Sequence, residues 1–266
     1  MTEVAYEDVL KGLRTLGVRR GGAVLVHSSL SSFGYVRGGA GTVIGALQEA
    51  VGDEGALLMP SFQRGLEYDL VLRGCRFDLR NSPSEMGLIT EVFRRSLGVV
   101  RSLHPTHSVA GWGRRARSFL EGHERCTVSC GWGSPFHRLC EAGGQILLLG
   151  VDHSCNTTLH FVENTSGAPT LSCKLFDPVV VDYEGREIVV PTYPHLPGLR
   201  RNYPKVEAVL KQAGAQREVR VGKATLRLVE AGEMWELVRD RIREDPLFLI
   251  EVFTPGPEES VWSSEA

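Results

Sequence analysis

His160 and Glu163 are the residues in this chain whose types and spacing are best suited to moving a proton. A neutral imidazole takes up a proton near neutral pH, and a carboxylate three positions on, along one helical face, can steady its tautomer. The pair closes a run of polar and titratable side chains, Asp152, His153, Asn156, Thr157, Thr158, His160 and Glu163, which follows directly on GQILLLGV at 144–151. A hydrogen-bonded pair closing a helix is the plainer reading of the same two residues. The density of amide and hydroxyl groups around them favours chemistry.

Such a cluster needs a rigid support. Residues 146–151 form an unbroken apolar run between two glycines and a polar loop, the pattern of a central strand covered on both faces. Loops at the carboxyl ends of strands in open α/β sheets are where ligands bind, and a helix starting at 156–158 puts His160 and Glu163 on one face. The remaining chain alternates in the same way. Helical spacing predicts helices over 6–16, 42–51, 114–121, 135–142, 204–213 and 232–243, and one over 85–97 with Ser84 as its N-cap. Short apolar runs predict strands at 23–26, 56–59 and 109–112. The stretch 63–83 is polar and irregular and suits a lid or pocket wall. Residues 176–182 and 186–191, separated by Glu184-Gly185, read as an antiparallel hairpin. The expected fold is a three-layer α/β/α sandwich with a mixed central sheet, parallel in its first half and carrying an antiparallel extension from the C-terminal third.

At 266 residues and 42% hydrophobic content, the chain can bury one large core, so a single domain over 1–255 is expected, with 256–266 a flexible tail. A net charge of −2 with the signs interspersed offers no basic stripe for nucleic acid and no polybasic segment for a membrane. No apolar run reaches the ~20 residues needed to span a bilayer, and MTEVAYEDVL lacks a signal-peptide pattern, so a soluble cytoplasmic protein is expected, with a homodimer as a compatible assembly. The six cysteines read as thiols in a reducing compartment. His123, Cys126, Cys130 and His137 fit no established zinc spacing, and His104 with His107 lack a third ligand, so no metal is expected.

The polar segment resembles the signature of the aminoglycoside 3-N-acetyltransferase family, in which an LLLGV-type strand leads into H-x-x-N-T-x-L-H-x-x-E; His153, Asn156, Thr157, Leu159, His160 and Glu163 fill that pattern here. VLVHSSLSSFG at 24–34, SEMGLITEVFRRSLGVVRSLHPTHSVAGWG at 84–113, GSPFHRLCEAGG at 133–144 and, more weakly, VGKA at 221–224 agree with the same family in the same order. The resemblance implies a three-layer sandwich distinct from the GNAT fold. It also implies an antibiotic N-acetyltransferase, a transferase that moves acetyl from acetyl-coenzyme A to the 3-amino group of an aminoglycoside, with His160 as general base and Glu163 as its support.

Under that reading the second cluster, Ser28, Ser29, Leu30 and Ser31 with Gly38 and Gly39 at a helix start, grips the pantetheine arm and pyrophosphate of the donor. Alone, it reads first as a Ser/Gly-rich turn that connects strand to helix. Arg37 and Arg101 are the nearest cations for phosphate. In the family the loop holding Thr106, His107 and Ser108 lines the donor side of the cleft. Hydroxyls and amides of 27–32 or 106–108 are the expected oxyanion donors. His27, Glu67, Asp152 and Asn156 are candidate acceptor-binding residues.

The segment HLPGLRRNYPKVEAVL carries Arg200, Arg201 and Lys205 where drug-modifying members tend to be acidic. A polycation needs converging carboxylates, which Glu67, Asp69, Asp78, Asp152, Asp177 or Asp182 would have to supply. A smaller, less cationic amine is therefore an alternative acceptor. A cysteine hydrolase or acyltransferase pairing Cys155 with His160 and a non-catalytic ligand-binding protein are the rivals from other classes.

Overall fold

The computed structural model describes residues 3–254, so the expected tail at 256–266 lies outside the described residues. Seven strands form the central sheet: β1 (Ala23–Ser28), β2 (Ala56–Pro60), β3 (Val100–Arg101), β4 (Val109–Trp112), β5 (Gln145–Leu149), β6 (Gln216–Val221) and β7 (Ala224–Glu230). Their order is β6-β7-β5-β1-β2-β4-β3. β1 runs parallel to β2 and to β5, whereas β4 is antiparallel to β2 and to β3, and β7 is antiparallel to β5 and to β6. The parallel part is thus confined to the three central strands, a narrower region than the sequence suggested.

The apolar runs of the central strands are continuous because both faces are covered. Leu25, Leu58, Ile146 and Leu148 point to one face. There they pack with residues of α5 (Ala116–Leu120), α6 (Pro135–Glu141), α7 (Thr158–Ser166), α8 (Val206–Gln212) and α9 (Ala231–Glu244). Val24, Val26, Leu57, Met59, Leu147 and Leu149 point to the other, against α1 (Tyr6–Leu16), α2 (Gly39–Val51) and α4 (Leu88–Arg94). Period-two alternation divides one hydrophobic strand between two cores, which gives the three layers. α1 buries Val9, Leu10, Leu13 and Leu16 at helical spacing and ends at left-handed Gly17 (φ 84°), whose N–H donates to the carbonyls of Arg14 and Leu13.

Three expectations are corrected. The helix expected to begin at Ser84 begins at Leu88, because Gly87 (φ 119°) breaks the chain there. Ser84 still serves the helix from outside: its N–H donates to Glu91 Oε2 at 2.7 Å and its hydroxyl shares a hydrogen bond with Thr90 Oγ1 at 2.8 Å. The hairpin of Val179–Val181 and Glu187–Val189 does form, but it joins Arg76–Asp78 in a separate three-stranded sheet. The antiparallel extension of the central sheet is instead β6 and β7, which the sequence reading left unassigned although Val219 and Val221, and Leu226 and Leu228, alternate with polar residues. The stretch 63–83 is less irregular than expected, since it contains α3 (Glu67–Leu72) and that third short strand. None of the described helices is long and apolar enough to cross a membrane.

Candidate active site

β1 and β5 lie side by side and end together, with His27 opposite Leu148 and Ser28 opposite Leu149. The chain leaves β5 through Gly150 (φ 68°), where a Cβ would stand 1.6 Å from Ser32 Oγ, so only glycine lets the two loops approach this closely. Asp152 then caps a short 3₁₀ turn, His153–Cys155, by accepting the Ser154 N–H at 2.8 Å. Asn156 Oδ1 accepts the Thr158 N–H at 3.2 Å at the start of α7, its amide nitrogen meets His153 Nδ1 at 3.2 Å, and His153 Nε2 meets Gln216 Oε1 at 2.8 Å. Asp152 and Asn156 were candidate acceptor-binding residues. Asn156 builds the loop instead, being fully buried with His153, whereas exposed Asp152 gives only Oδ1 to the turn.

α7 places His160 and Glu163 on one face, as their spacing requires, with 3.5 Å between Nδ1 and Oε2. Tyr203, which the sequence reading did not single out, lies between them. Its hydroxyl donates to Glu163 Oε2 at 2.7 Å and lies 2.8 Å from His160 Nδ1. Because the tyrosine proton goes to the carboxylate, the phenolic oxygen accepts from Nδ1–H, leaving the Nε2 lone pair of a neutral His160 available to a substrate. Arg201 Nε donates to the same Glu163 oxygen at 2.8 Å. Burial would raise the Glu163 carboxyl, but the adjacent His160 ring, the Arg201 charge and the Tyr203 hydroxyl hold it below its usual value.

Burial, reinforced by neighbouring His195, pushes His160 down to about 3, well under the near-neutral value expected of a general base. Above that pH the ring is already deprotonated. A neutral imidazole so placed is a weak base toward an ordinary ammonium and an adequate one toward a more acidic proton.

Beside this relay is a second buried carboxylate. Glu67 Oε1 accepts the Thr106 hydroxyl at 2.6 Å and lies 3.2 Å from His107 Nδ1; Oε2 takes the His195 N–H at 3.0 Å and lies 2.5 Å from His195 Nδ1. Asn164 Nδ2 meets His195 Nε2 at 3.0 Å. Burial alone would raise Glu67, but its histidine partners outweigh burial and keep it well below the usual range. The His160 and His195 rings are 4.4 Å apart between centroids. Glu67, His107, His160, His195, Arg201 and Tyr203 line one pocket of about 260 Å³. His195 was missed because nothing in its local sequence marks it; only the fold brings it to Glu67.

Glu67, His107 and His195 are also the only described residues whose potential metal-ligating atoms converge, all lying within 4.8 Å of one another. Their hydrogen bonds account for the arrangement without an ion. His123 does not contribute to a metal centre, since its Nδ1 meets Ser102 Oγ and its Nε2 meets the Ser129 carbonyl, each at 2.8 Å.

A larger cleft of about 830 Å³ opens next to this pocket. His27, Ser28, Ser29, Leu30, Ser31 and Gly39 line it, opposite Arg64 and the 85–88 segment. His27 Nε2 and Ser28 Oγ are buried here without a protein partner among the described residues, and burial pushes His27 down to about 3. Of the expected donor contacts, Arg37 is exposed beside Glu3, 3.7 Å away, and Gly38 (φ 79°) stands at the helix start where it was expected, as the left-handed N-cap of α2. Others are corrected. Arg101 is buried and donates to the Ser61 hydroxyl and carbonyl and to the carbonyls of Leu79 and Ser82. Thr106 and His107 face Glu67 rather than the larger cleft, and buried Ser108 donates to the Ser102 carbonyl at 2.7 Å. Cys155 lines the larger cleft while His160 lines the smaller pocket, and burial raises the thiol, which removes the basis for a cysteine–histidine nucleophile.

Residues 25–243 match the model of a family described as aminoglycoside 3-N-acetyltransferase. The chain is 30% identical over 248 residues to aminoglycoside N(3)-acetyltransferase IV of a Salmonella species, covering 91% of this chain and 89% of the relative. It is 34% identical over 174 residues to a prophage-derived aminoglycoside N(3')-acetyltransferase-like protein of Bacillus subtilis, a match spanning 59% of this chain and 64% of that relative. Among solved structures, aminoglycoside acetyltransferase AAC(3)-IVa superposes with a TM-score of 0.79 at 28% identity, covering 98% of this chain and 95% of the other. AAC-IIIb in a binary complex with CoASH gives 0.79 at 25% identity, covering 96% and 100%.

Proposed function

Because this chain belongs to the aminoglycoside 3-N-acetyltransferase family, we propose that it transfers acetyl from acetyl-coenzyme A to the 3-amino group of a 2-deoxystreptamine aminoglycoside, with His160 as general base. One observation carries the assignment. Tyr203 and Glu163 hold His160 in the Nδ1–H tautomer, and no described protein group hydrogen-bonds its Nε2. The donor lies in the cleft of about 830 Å³, where the hydroxyl-rich 28–31 loop suits an amide-rich pantetheine arm, as the CoASH complex of a relative supports. The acceptor lies in the pocket with His160.

In this reading the amine, once neutral, attacks the thioester carbon, and His160 Nε2 takes the proton that the nitrogen sheds as the C–N bond forms. The tetrahedral intermediate collapses and releases the thiolate of coenzyme A, which is protonated in turn. Transfer is direct, in a ternary complex.

The acceptor pocket supports a second reading of the substrate. Of the three basic residues at 200–205, Arg200 pairs outside with Glu251 and Lys205 reaches the Phe248 carbonyl, but Arg201 lines the pocket. Glu67, the one carboxylate among the described residues that lines the pocket, and Glu163, buried behind it, are both already bonded within the protein. Two committed carboxylates beside a guanidinium suit an amine of low charge better than a polycation. The deciding measurement is kcat/KM with acetyl-coenzyme A for 2-deoxystreptamine antibiotics against simple monoamines. Preferential acetylation at the 3-amino group supports the first reading; preference for the monoamines supports the second. No turnover with either class overturns the acetyl-transfer proposal.

A further inference from the structure

Among the described residues, Ser154 alone lines both the large cleft and the smaller histidine pocket. The acyl carbon has to sit at that junction, because the thioester arrives from one cavity and the amine from the other. We propose that the Ser154 hydroxyl is the donor that holds the oxyanion formed on the acyl carbon, an inference that rests on the acetyl-transfer reading.

The other hydroxyls nearby are engaged or do not reach both cavities: Thr157 lines the large cleft only, and buried Thr158 lines neither. Thr106 is committed to Glu67 at 2.6 Å, Ser108 to the Ser102 carbonyl at 2.7 Å, and Ser32 to the Ser29 carbonyl at 2.6 Å. The Ser29 and Ser31 hydroxyls share a hydrogen bond at 3.2 Å. The Ser28 hydroxyl has no partner but faces the donor cleft only. Among the described residues the Ser154 hydroxyl hydrogen-bonds only to Cys155 Sγ, at 4.0 Å, too long to compete with a charged oxygen. Its own N–H is held by Asp152 Oδ1 at 2.8 Å, which anchors the residue while leaving the side chain free to donate.

The step balances without a further reactant. The amine nitrogen forms a bond to the acyl carbon, the carbonyl π pair moves onto oxygen, and Ser154 Oγ–H donates a hydrogen bond to that oxygen while His160 receives the proton leaving nitrogen. Collapse restores the carbonyl and breaks the C–S bond. The thiolate of coenzyme A leaves and regains a proton from the His160 imidazolium. Ser154 exchanges no covalent bond.

Ser154→Ala tests the role through kcat, the two KM values and coenzyme A affinity by calorimetry. Removal of a preorganised oxyanion donor lowers kcat by about a hundredfold. The expected result is a loss of that order with both KM values and coenzyme A affinity unchanged, and the same loss in Ser154→Gly. Ser154→Cys, with a weaker donor, should fall between. A kcat for Ser154→Ala within a few-fold of the unaltered protein overturns this proposal alone. So does loss of coenzyme A binding in the variant, which would make Ser154 a donor-binding residue, or an acetyl group found on Ser154 by intact-mass measurement, which would make it a nucleophile. If the unaltered protein acetylates no amine, both this role and the reading beneath it fail.

Discussion

Tyr203 donates to Glu163 at 2.7 Å and stands 2.8 Å from His160 Nδ1, so the carboxylate acts on the imidazole chiefly through a phenol. The direct His160–Glu163 separation, 3.5 Å, is too long for a strong hydrogen bond. The orientation of His160 therefore depends on an element far along the chain from its own helix.

Substituting His160 tests the base. His160→Ala is expected to lower kcat by roughly a hundredfold or more at neutral pH, the scale of a lost general base, while calorimetry shows coenzyme A binding retained in the separate cleft. Tyr203→Phe should lower kcat by about tenfold by freeing the tautomer. Near-normal turnover in His160→Ala removes the assignment.

Glu163 and Arg201 form a largely buried ion pair, with side-chain exposures of 0% and 16%. Removing one member of such a pair leaves an uncompensated charge, at a cost of about 3–5 kcal/mol. Both Glu163→Gln and Arg201→Ala are expected to lower Tm clearly in thermal unfolding, and an unchanged Tm in either variant would show that the pair does not hold this corner of the pocket together.

Coenzyme A should stabilise the free protein through the hydroxyl-lined cleft. By mass action a ligand at a hundred times its Kd adds about 2.7 kcal/mol, so Tm should rise with coenzyme A concentration. Calorimetry that detects no binding at millimolar coenzyme A argues against acetyl transfer altogether.

Acid should weaken the fold early. Burial lowers His27, His104 and His160 to about 3 from an ordinary 6.5. Between those values the unfolded chain binds protons that the folded one refuses, so stability falls as pH drops from 6.5 toward 3. Each such histidine contributes about 1.4 kcal/mol per pH unit at most. Tm is expected to decline between pH 7 and 5, and the pH–rate profile should lack a His160 inflection near 6.5. A flat Tm over that interval contradicts the burial of these rings as neutral groups.

The central strands, α1 and the His160–Glu163 pair were legible because each is written in local periodicity: the run at 146–151, Val9 to Leu16 at helical spacing, and an i, i+3 pair behind a strand. β6 and β7 were passed over because Arg217, Glu218, Arg220 and Arg227 interrupt their apolar positions. Tyr203 and His195 could not be read from their surroundings, since their partners Glu163 and Glu67 are remote in sequence. Arg201 was noticed as an excess of positive charge near the pocket, but its pairing with Glu163 is a product of the fold. Asn156 misled for the opposite reason. A short polar side chain beside the His160–Glu163 pair looks like a ligand contact, whereas here it satisfies the backbone of a tight turn.

Val26 of β1 pairs with Leu147 of β5, and each strand leads at its end into one part of the proposed reaction centre. This is a parallel contact between distant parts of the chain, the kind of pairing that a folding polypeptide reaches slowly, because a long loop must close first. Neither half can be catalytically competent before that closure. Recovery of turnover after denaturation should therefore report late assembly of the sheet, lagging behind the return of helical signal, and a chain cut between the two strands would regain activity only if its pieces reassociate.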